Sequence, residues 1–362
     1  MAAATHFAES YLDARDKFRA IAERKGGKLR AAHNPALGFH GEELSIDYAW
    51  FGASDASKVL VLLSGTHGAE GFCGSGCQIG WLAEVGPETL PKDTALFVIH
   101  GVNPYGFSWL RRTNEDNVDL NRNFVDFSKS LPENKGYDQL AAAICPKEWA
   151  GASRVSADQE LAAYAKAHGD FALQSAMSIG QYRHPQGLFY GGAKPTWSRR
   201  TLEDLARRYL GSAQHIAFID YHTGLGPYGY GELIASGAKD DPGYLRCRDW
   251  YGADNVTNPD LGNSASAQVI GTMMQGLEKV LPQAVATSIA IEYGTKPLPE
   301  VVEALRADAW LHVYGDISSA EGRKIKQAVR DCFYGDEPTW KEKVRSQSDQ
   351  VIAQALRGLA AS

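Results

Sequence analysis

Residues 59–71 read Val59-Leu60-Val61-Leu62-Leu63-Ser64-Gly65-Thr66-His67-Gly68-Ala69-Glu70-Gly71. The unbroken apolar run Val59 to Leu63 predicts a strand buried on both faces, and such strands belong to largely parallel sheets covered by helices. The run stops at Ser64-Gly65, so the following turn lies at the carboxyl edge of the sheet, where open α/β folds place their ligands. That turn carries His67 and Glu70. The His-x-x-Glu spacing sets an imidazole and a carboxylate about one turn apart, close enough to share one cation, and nitrogen-plus-carboxylate ligation suits zinc. Two ligands are not a site, so a third must come from elsewhere in the chain.

Moving outward, the pattern of an apolar strand with polar residues at its end recurs. Leu44 to Phe51 alternates as a strand, and Ala95 to His100 is an apolar strand followed by the turn Asn103-Pro104-Tyr105-Gly106. His215 to Tyr221 and Thr287 to Tyr293 repeat it. Phe7, Tyr11, Leu12, Phe18 and Ile21 have roughly helical spacing and predict an amphipathic first helix over 5–25. Strands alternating with helical stretches predict an α/β fold with a parallel or mixed sheet. The stretch 128–205 differs: helical segments at 156–167 and 170–180, the tripeptide Tyr190-Gly191-Gly192 and a helix near 200–209 read as an elaboration inserted between core elements of a single domain spanning 1–362. The tail from about 318 is charged and helical, and is expected on the outside. No internal repeat or low-complexity segment interrupts the chain.

Composition narrows the partners. At 362 residues the chain is long enough for one large α/β domain or two modest ones. A net charge of -6 disfavours nucleic acid or an anionic membrane as the main partner, since either calls for a basic face. No apolar run reaches the ~18–20 residues of a membrane span. Met1-Ala2-Ala3-Ala4-Thr5-His6 lacks the cationic and apolar regions of a secretory signal. Together with the odd, sparse count of five cysteines, this predicts reduced thiols and a cytoplasmic protein. Cys73 and Cys77 could share a helix face, but a thiolate zinc site needs a further Cys or Cys/His pair, so they are read as packing residues.

Later strand ends supply more chemistry. Asp220-Tyr221-His222-Thr223-Gly224 offers a second imidazole, and Ile289-Ala290-Ile291-Glu292-Tyr293-Gly294 a second carboxylate. Arg111-Arg112-Thr113-Asn114 and Val118-Asp119-Leu120-Asn121-Arg122-Asn123 cluster guanidinium and amide groups on one connection. Two His and one Glu satisfy a catalytic zinc, which keeps an open position, and leave a separate Glu as base. His100 also ends a strand and is read as structural. Gly74-Ser75-Gly76 fails as a nucleophile elbow because Cys73 and Cys77 stand where glycines are needed. Gly71, Gly74 and Gly76 match neither dinucleotide nor P-loop spacing.

The order His-x-x-Glu, Arg, Asn-Arg, His, Glu resembles the M14 zinc carboxypeptidase superfamily, which includes carboxypeptidases and the aspartoacylase and succinylglutamate desuccinylase deacylases. The Thr66–Gly71 turn and the Asn117–Phe124 block are most similar to its DUF2817 branch. The resemblance covers about 44–310. It implies a three-layer α/β/α fold with a mixed, largely parallel central sheet. It also implies one Zn2+ held by His67, Glu70 and His222, with Glu292 as general base. Asn121 and Arg122 would hold a substrate carboxylate. Arg112 would stabilise the oxyanion, with Arg111 an adjacent candidate for that role. One departure stands out: carboxypeptidases of the superfamily present a mobile tyrosine on a loop ahead of the catalytic Glu, and 261–268 here has none. The implied reaction is hydrolysis of an amide next to a free carboxylate, in a short peptide or in a small N-acyl amino acid or ester. A zinc-binding scaffold without catalysis is the rival from another class.

Overall fold

The computed structural model describes residues 3–362. A single 3-10 turn (Ala3–His6) precedes helix α1 (Tyr11–Arg24), whose start is set by the Ser10 hydroxyl accepting from the Asp13 N–H at 3.2 Å. Strands β1 (Lys28–Leu37), β2 (Glu43–Phe51) and β3 (Lys58–Ser64) follow, then α2 (Gly71–Glu84), β4 (Thr94–His100) and the short helices α3 (Pro104–Ser108) and α4 (Leu120–Asn123). Helices α5 (Lys135–Ile144), α6 (Gly151–His168), α7 (Asp170–Ser178) and α8 (Trp197–Leu210) lead to β5 (His215–Tyr228) and β6 (Gly231–Ile234). Next come α9 (Pro242–Tyr251), β7 (Val256–Thr257), α10 (Met273–Val280) and β8 (Val285–Gly294). Helices α11 (Leu298–Tyr314), α12 (Ala320–Phe333) and α13 (Pro338–Ala361) complete the fold.

The eight strands form one mixed sheet in the order β1-β2-β4-β3-β5-β8-β6-β7. Its centre, β4-β3-β5-β8, is parallel, and antiparallel pairing enters at β2 and at β6. The apolar run explains itself here. Leu60 and Leu62 face one helical layer, built from α1, α2 and α13, while Val59, Val61 and Leu63 face a second layer containing α8 and α10. With both faces covered, the period-2 alternation of a half-wet strand has no place to appear. Cys73 and Cys77 lie in the first layer as free, buried thiols. His100 is buried there too: it stacks on Phe18 at 4.6 Å and meets Ser75 Oγ at 2.8 Å, and burial depresses its pKa to about 3.

All five expected strands are present, each one residue or more longer than read from the sequence. The first helix is shorter, beginning at Tyr11 after the Ser10 cap. β1, the short β6 and β7, and helices α5, α9, α10 and α11 escaped that reading. The expected exterior tail is a correction. Trp340, Val344, Val351, Ile352 and Leu359 of α13 are buried in the main core, because the charges of the segment surround a continuous apolar stripe at helical spacing. Within 128–205, α5–α7 pack with α11 and α12 in a cluster of their own beyond the carboxyl edge of the sheet, whereas α8 covers the sheet itself. No described helix is long and apolar enough to cross a membrane.

Candidate metal centre

After β3 the chain turns at Gly65, whose φ of +71° is left-handed, and folds through a 3-10 turn (Gly68–Glu70) into α2. The turn is clasped from outside: the Gly68 and Ala69 N–H groups donate to the carbonyls of Arg112 and Arg111 at 3.4 and 2.8 Å. This approach needs glycine at 68, where a Cβ would lie 1.9 Å from the Gly106 carbonyl carbon. The clasp sets Arg112 beside Glu70. From the neighbouring strands, parallel register places His222 of β5 opposite Glu292 of β8.

Three of the expected residues converge. His67 Nδ1 lies 2.8 Å from Glu70 Oε1, and His222 Nδ1 lies 2.9 Å from Glu70 Oε2. One ligand atom from each residue can be chosen so that all three lie within 4.8 Å of one another, and all three residues are buried. The outer nitrogens are also engaged: His67 Nε2 meets Asp119 Oδ1 at 3.1 Å, and His222 Nε2 meets Asp220 Oδ2 at 2.6 Å. Asp220 accepts in turn from Thr66 Oγ1 at 2.8 Å. Each imidazole is therefore flanked by carboxylate oxygens on both nitrogens. A neutral ring has one N–H, so in that state one contact on each ring lacks a proton, and without a metal a second proton on His222 is what satisfies both of its contacts. A cation between the two Nδ1 atoms and Glu70 resolves both contacts, with the Asp residues fixing the rings from behind. Charge points the same way: Glu70, Asp119, Asp220 and Glu292 gather around the two imidazoles with Arg112 and Arg122, and once the imidazoles are neutral the surplus of negative charge is one that a divalent ion would balance. The residues present fit a metal ion.

The carboxylates respond differently to their surroundings. Burial alone would raise the pKa of Glu70, but His67 and His222 overcome it and hold the group well below its ordinary range. Asp119 is likewise held low, burial being outweighed by Arg112, Arg122 and His67. Burial would lower His222, yet Asp220 and Glu70 raise it well above its ordinary value. Glu292 is raised to about 7, first by burial and then by the Glu70 charge. Its Oε1 accepts from the Leu225 N–H at 3.0 Å. Between them lies Gly224, with φ +144°, where a Cβ would stand 3.3 Å from that oxygen.

Arg112 and Arg111 point apart. Arg112 donates to Asp119 Oδ2 through Nε at 2.9 Å and to Glu70 Oε1 at 3.2 Å. Arg111 turns away to Asp308 and Asn117, at 3.0 and 2.9 Å. Arg122 lies with Arg112 against the ring of Phe189, 5.5 and 5.2 Å from its centroid, and burial lowers its pKa to about 10. Two of its N–H groups donate to the Ser178 carbonyl at the end of α7. The Asn121 side chain accepts from the Met273 N–H at 2.9 Å. His67, Arg112, Asn121, Arg122, His222 and Glu292 all line one cavity of about 1320 Å³, and Arg111 does not. On the cavity wall the tyrosine among the described residues is Tyr244 of α9, while the Tyr182 hydroxyl donates to the Arg122 carbonyl from behind. The sequence reading missed Asp119 and Asp220. Asp220 had a signal, since residues two apart on a strand share a face and Asp220-x-His222 ends β5.

The family described as "Protein of unknown function (DUF2817)" matches residues 7–347. No curated protein matches the chain in sequence. Among solved structures, carboxypeptidase A from Helicoverpa armigera is similar with a TM-score of 0.53 at 12% identity, over 98% of this chain and 74% of that one. The succinylglutamate desuccinylase from Chromobacterium violaceum gives a TM-score of 0.39 at 14% identity, over 87% of this chain and 72% of that one. The likeness to the carboxypeptidase is one of fold: a mixed sheet between helical layers.

Proposed function

The chain belongs to the DUF2817 family, and from that premise, joined to the geometry of the centre, we propose that it is a zinc-dependent hydrolase of an amide bond next to a free carboxylate. The observation that carries the reading is the pairing of a three-donor cluster, His67, Glu70 and His222, with a fourth residue, Glu292, that stays outside the cluster while lining the same cavity opposite His222. A zinc ion held by the three donors would supply Lewis-acid polarisation of the scissile carbonyl and acidify water. The chain's own residues do the rest. Arg122 and Asn121 bind and orient the substrate carboxylate. Arg112, already aimed at the centre by Asp119, donates to the oxygen that becomes negative in the transition state. Glu292 takes a proton from the attacking water on a carboxylate oxygen and returns it to the leaving nitrogen, a task for which burial raises its basicity while a nearby cation would keep it ionised and ready to accept.

A second reading, an N-acyl amino acid deacylase with the same machinery, is favoured by the roof over the anchor. The end of α7 sits on Arg122, and the Ile270 N–H ties the loop before α10 to the Ile179 carbonyl at 3.3 Å. A covered anchor suits a small substrate better than a long peptide. Turnover of zinc-loaded protein on a panel of short peptides and N-acyl amino acids, with amidated counterparts as controls, tests both. Hydrolysis confined to substrates with a free carboxylate is the expected result. Equal hydrolysis of the amidated forms, or none of either, would sink the proposal.

A further inference from the structure

Phe189 holds a backbone conformation that favours glycine. Its φ of +53° is left-handed, which strains any residue with a Cβ, and such strain persists only where the surroundings over-determine it. They do so from two sides. The Phe189 carbonyl accepts from the Gln181 N–H at 3.2 Å, and Gln181 Nε2 donates to the Leu188 carbonyl at 3.2 Å. Opposite, the Tyr190 carbonyl accepts from the Asp119 N–H at 2.8 Å, and Asn117 Nδ2 donates to the carbonyls of Pro185 and Gly187 at 2.9 and 3.2 Å. Asn117 and Asp119 belong to the connection between Arg112 and Arg122. The strained turn is therefore stapled to the stretch of chain that carries both arginines.

The ring delivered by that turn is buried, lines the cavity, and meets both guanidinium groups, 5.2 Å from Arg112 and 5.5 Å from Arg122. The two cations also converge on one carboxylate: Asp119 Oδ2 lies 2.9 Å from Arg112 Nε and 3.9 Å from Arg122 Nη1. Like charges drawn so close repel, and a ring quadrupole that attracts both offsets the repulsion where water is scarce. The hydrogen bonds leave a further freedom to the ring. Arg122 donates to the Ser178 and Asn121 carbonyls, and Arg112 to Asp119 and Glu70. The N–H groups of a guanidinium lie in its plane, so these bonds fix its position more firmly than its tilt. A ring packed against the group holds the tilt, which sets where the unused N–H groups point.

Resting on the hydrolase reading, we infer that Phe189 is a positioning residue whose ring fixes the tilt of Arg122 and Arg112 together. It thereby sets the span between the carboxylate anchor and the donor to the oxyanion. It acts through the two arginines and takes no part in holding metal.

The test separates the charge distribution of the ring from its bulk, in full-length, zinc-loaded protein. Phe189→pentafluorophenylalanine keeps the shape of the ring and reverses its quadrupole. On the free-carboxylate substrate turned over fastest in the panel of peptides and N-acyl amino acids, we expect kcat/KM to fall about 5- to 30-fold. KM should rise and kcat should fall together, because both arginines are disturbed. Phe189→Leu should reproduce the pair of effects, Phe189→Tyr should restore most of the activity, and zinc content should stay full in all three. Should Phe189→Leu fail to fold, the fluorinated ring supplies the same comparison. In Arg122→Ala protein, fluorination should lose its effect on KM. Kinetics unmoved by fluorination, or a rise in KM of equal size in Arg122→Ala protein, overturns the inference and leaves the hydrolase reading standing. Absence of turnover by wild type sinks the hydrolase reading, and calorimetric titration with N-acetylalanine, N-acetylphenylalanine and N-acetylglutamate then decides the inference. Weaker binding to the fluorinated protein than to wild type supports it. Equal binding, or none to either, overturns it.

Discussion

Glu70 and Glu292 meet at one centre, and burial pushes both toward the protonated form, yet they end on opposite sides of their ordinary pKa. Glu70 receives two imidazole nitrogens, the Thr223 N–H and the Arg112 guanidinium, and stays ionised. Glu292 receives one backbone N–H and the repulsion of Glu70 itself, and rises from 4.5 to about 7. The difference teaches that position on the sheet edge does not set the role of a carboxylate; the count of donors aimed at it does. A carboxylate saturated with donors suits a permanent ligand, and one left underserved suits a proton carrier.

The comparison can be broken most directly by removing each charge in turn. Glu70→Gln should lose both metal and activity, the latter to background, as read by elemental analysis of purified protein alongside turnover. Glu292→Gln should keep a full complement of metal while its rate falls ~10²–10⁴-fold. Metal-free Glu292→Gln protein, or metal-replete Glu70→Gln protein, would mean that the roles are exchanged or shared.

Smaller effects sharpen the contrast. Asp119→Asn and Asp220→Asn leave all three donors in place but release the rings from behind. Chelator competition should show metal affinity lower by ~10–100-fold in each. Unchanged affinity would make those contacts incidental. In metal-free protein the raised pKa of Glu292 has a stability signature. A carboxyl whose pKa rises on folding supports the fold while protonated, so its contribution is whole below pH 4.5 and is lost as pH climbs through about 7. Glu70 runs the other way, contributing above its unfolded pKa and losing that contribution in acid. Glu292→Gln should therefore gain on wild type between pH 5 and pH 8, by at most about 3 kcal/mol in urea unfolding. Parallel pH profiles for the two proteins would remove Glu292 as the underserved carboxylate. Adding zinc should shrink the gap, because a nearby cation favours the ionised form.

Much of this arrangement was legible in the chain. The strands that bring His67 and His222 to the edge are apolar runs buried on both faces, the strand that ends at Glu292 alternates buried Ile289 and Ile291 with half-buried Ser288 and Ala290, and the turn chemistry after each is written locally. What was not legible depends on contacts between distant segments. Asp119 reaches His67 across 52 residues, and nothing in Val118-Asp119-Leu120 marks it as more than a helix cap. The Ser178 carbonyl over Arg122 comes from a segment whose sequence reads only as helical. Arg111 and Arg112 were indistinguishable by neighbourhood in sequence; the backbone clasp on Gly68 and Ala69 sends one toward Asp308 and the other to the centre. In α13 the abundance of charge concealed a stripe that holds Trp340 in the core.

The donor cluster has a consequence outside catalysis. His222 lies 152 residues beyond Glu70, so the unfolded chain scatters its ligands and only the folded chain gathers them. An ion with that preference acts by mass action: at a hundredfold excess over its Kd it deepens the folded state by about 2.7 kcal/mol. Scarcity of the ion would then be felt first as a larger unfolded fraction open to proteases. Metal supply would then bear on the lifetime of the protein as well as on its activity.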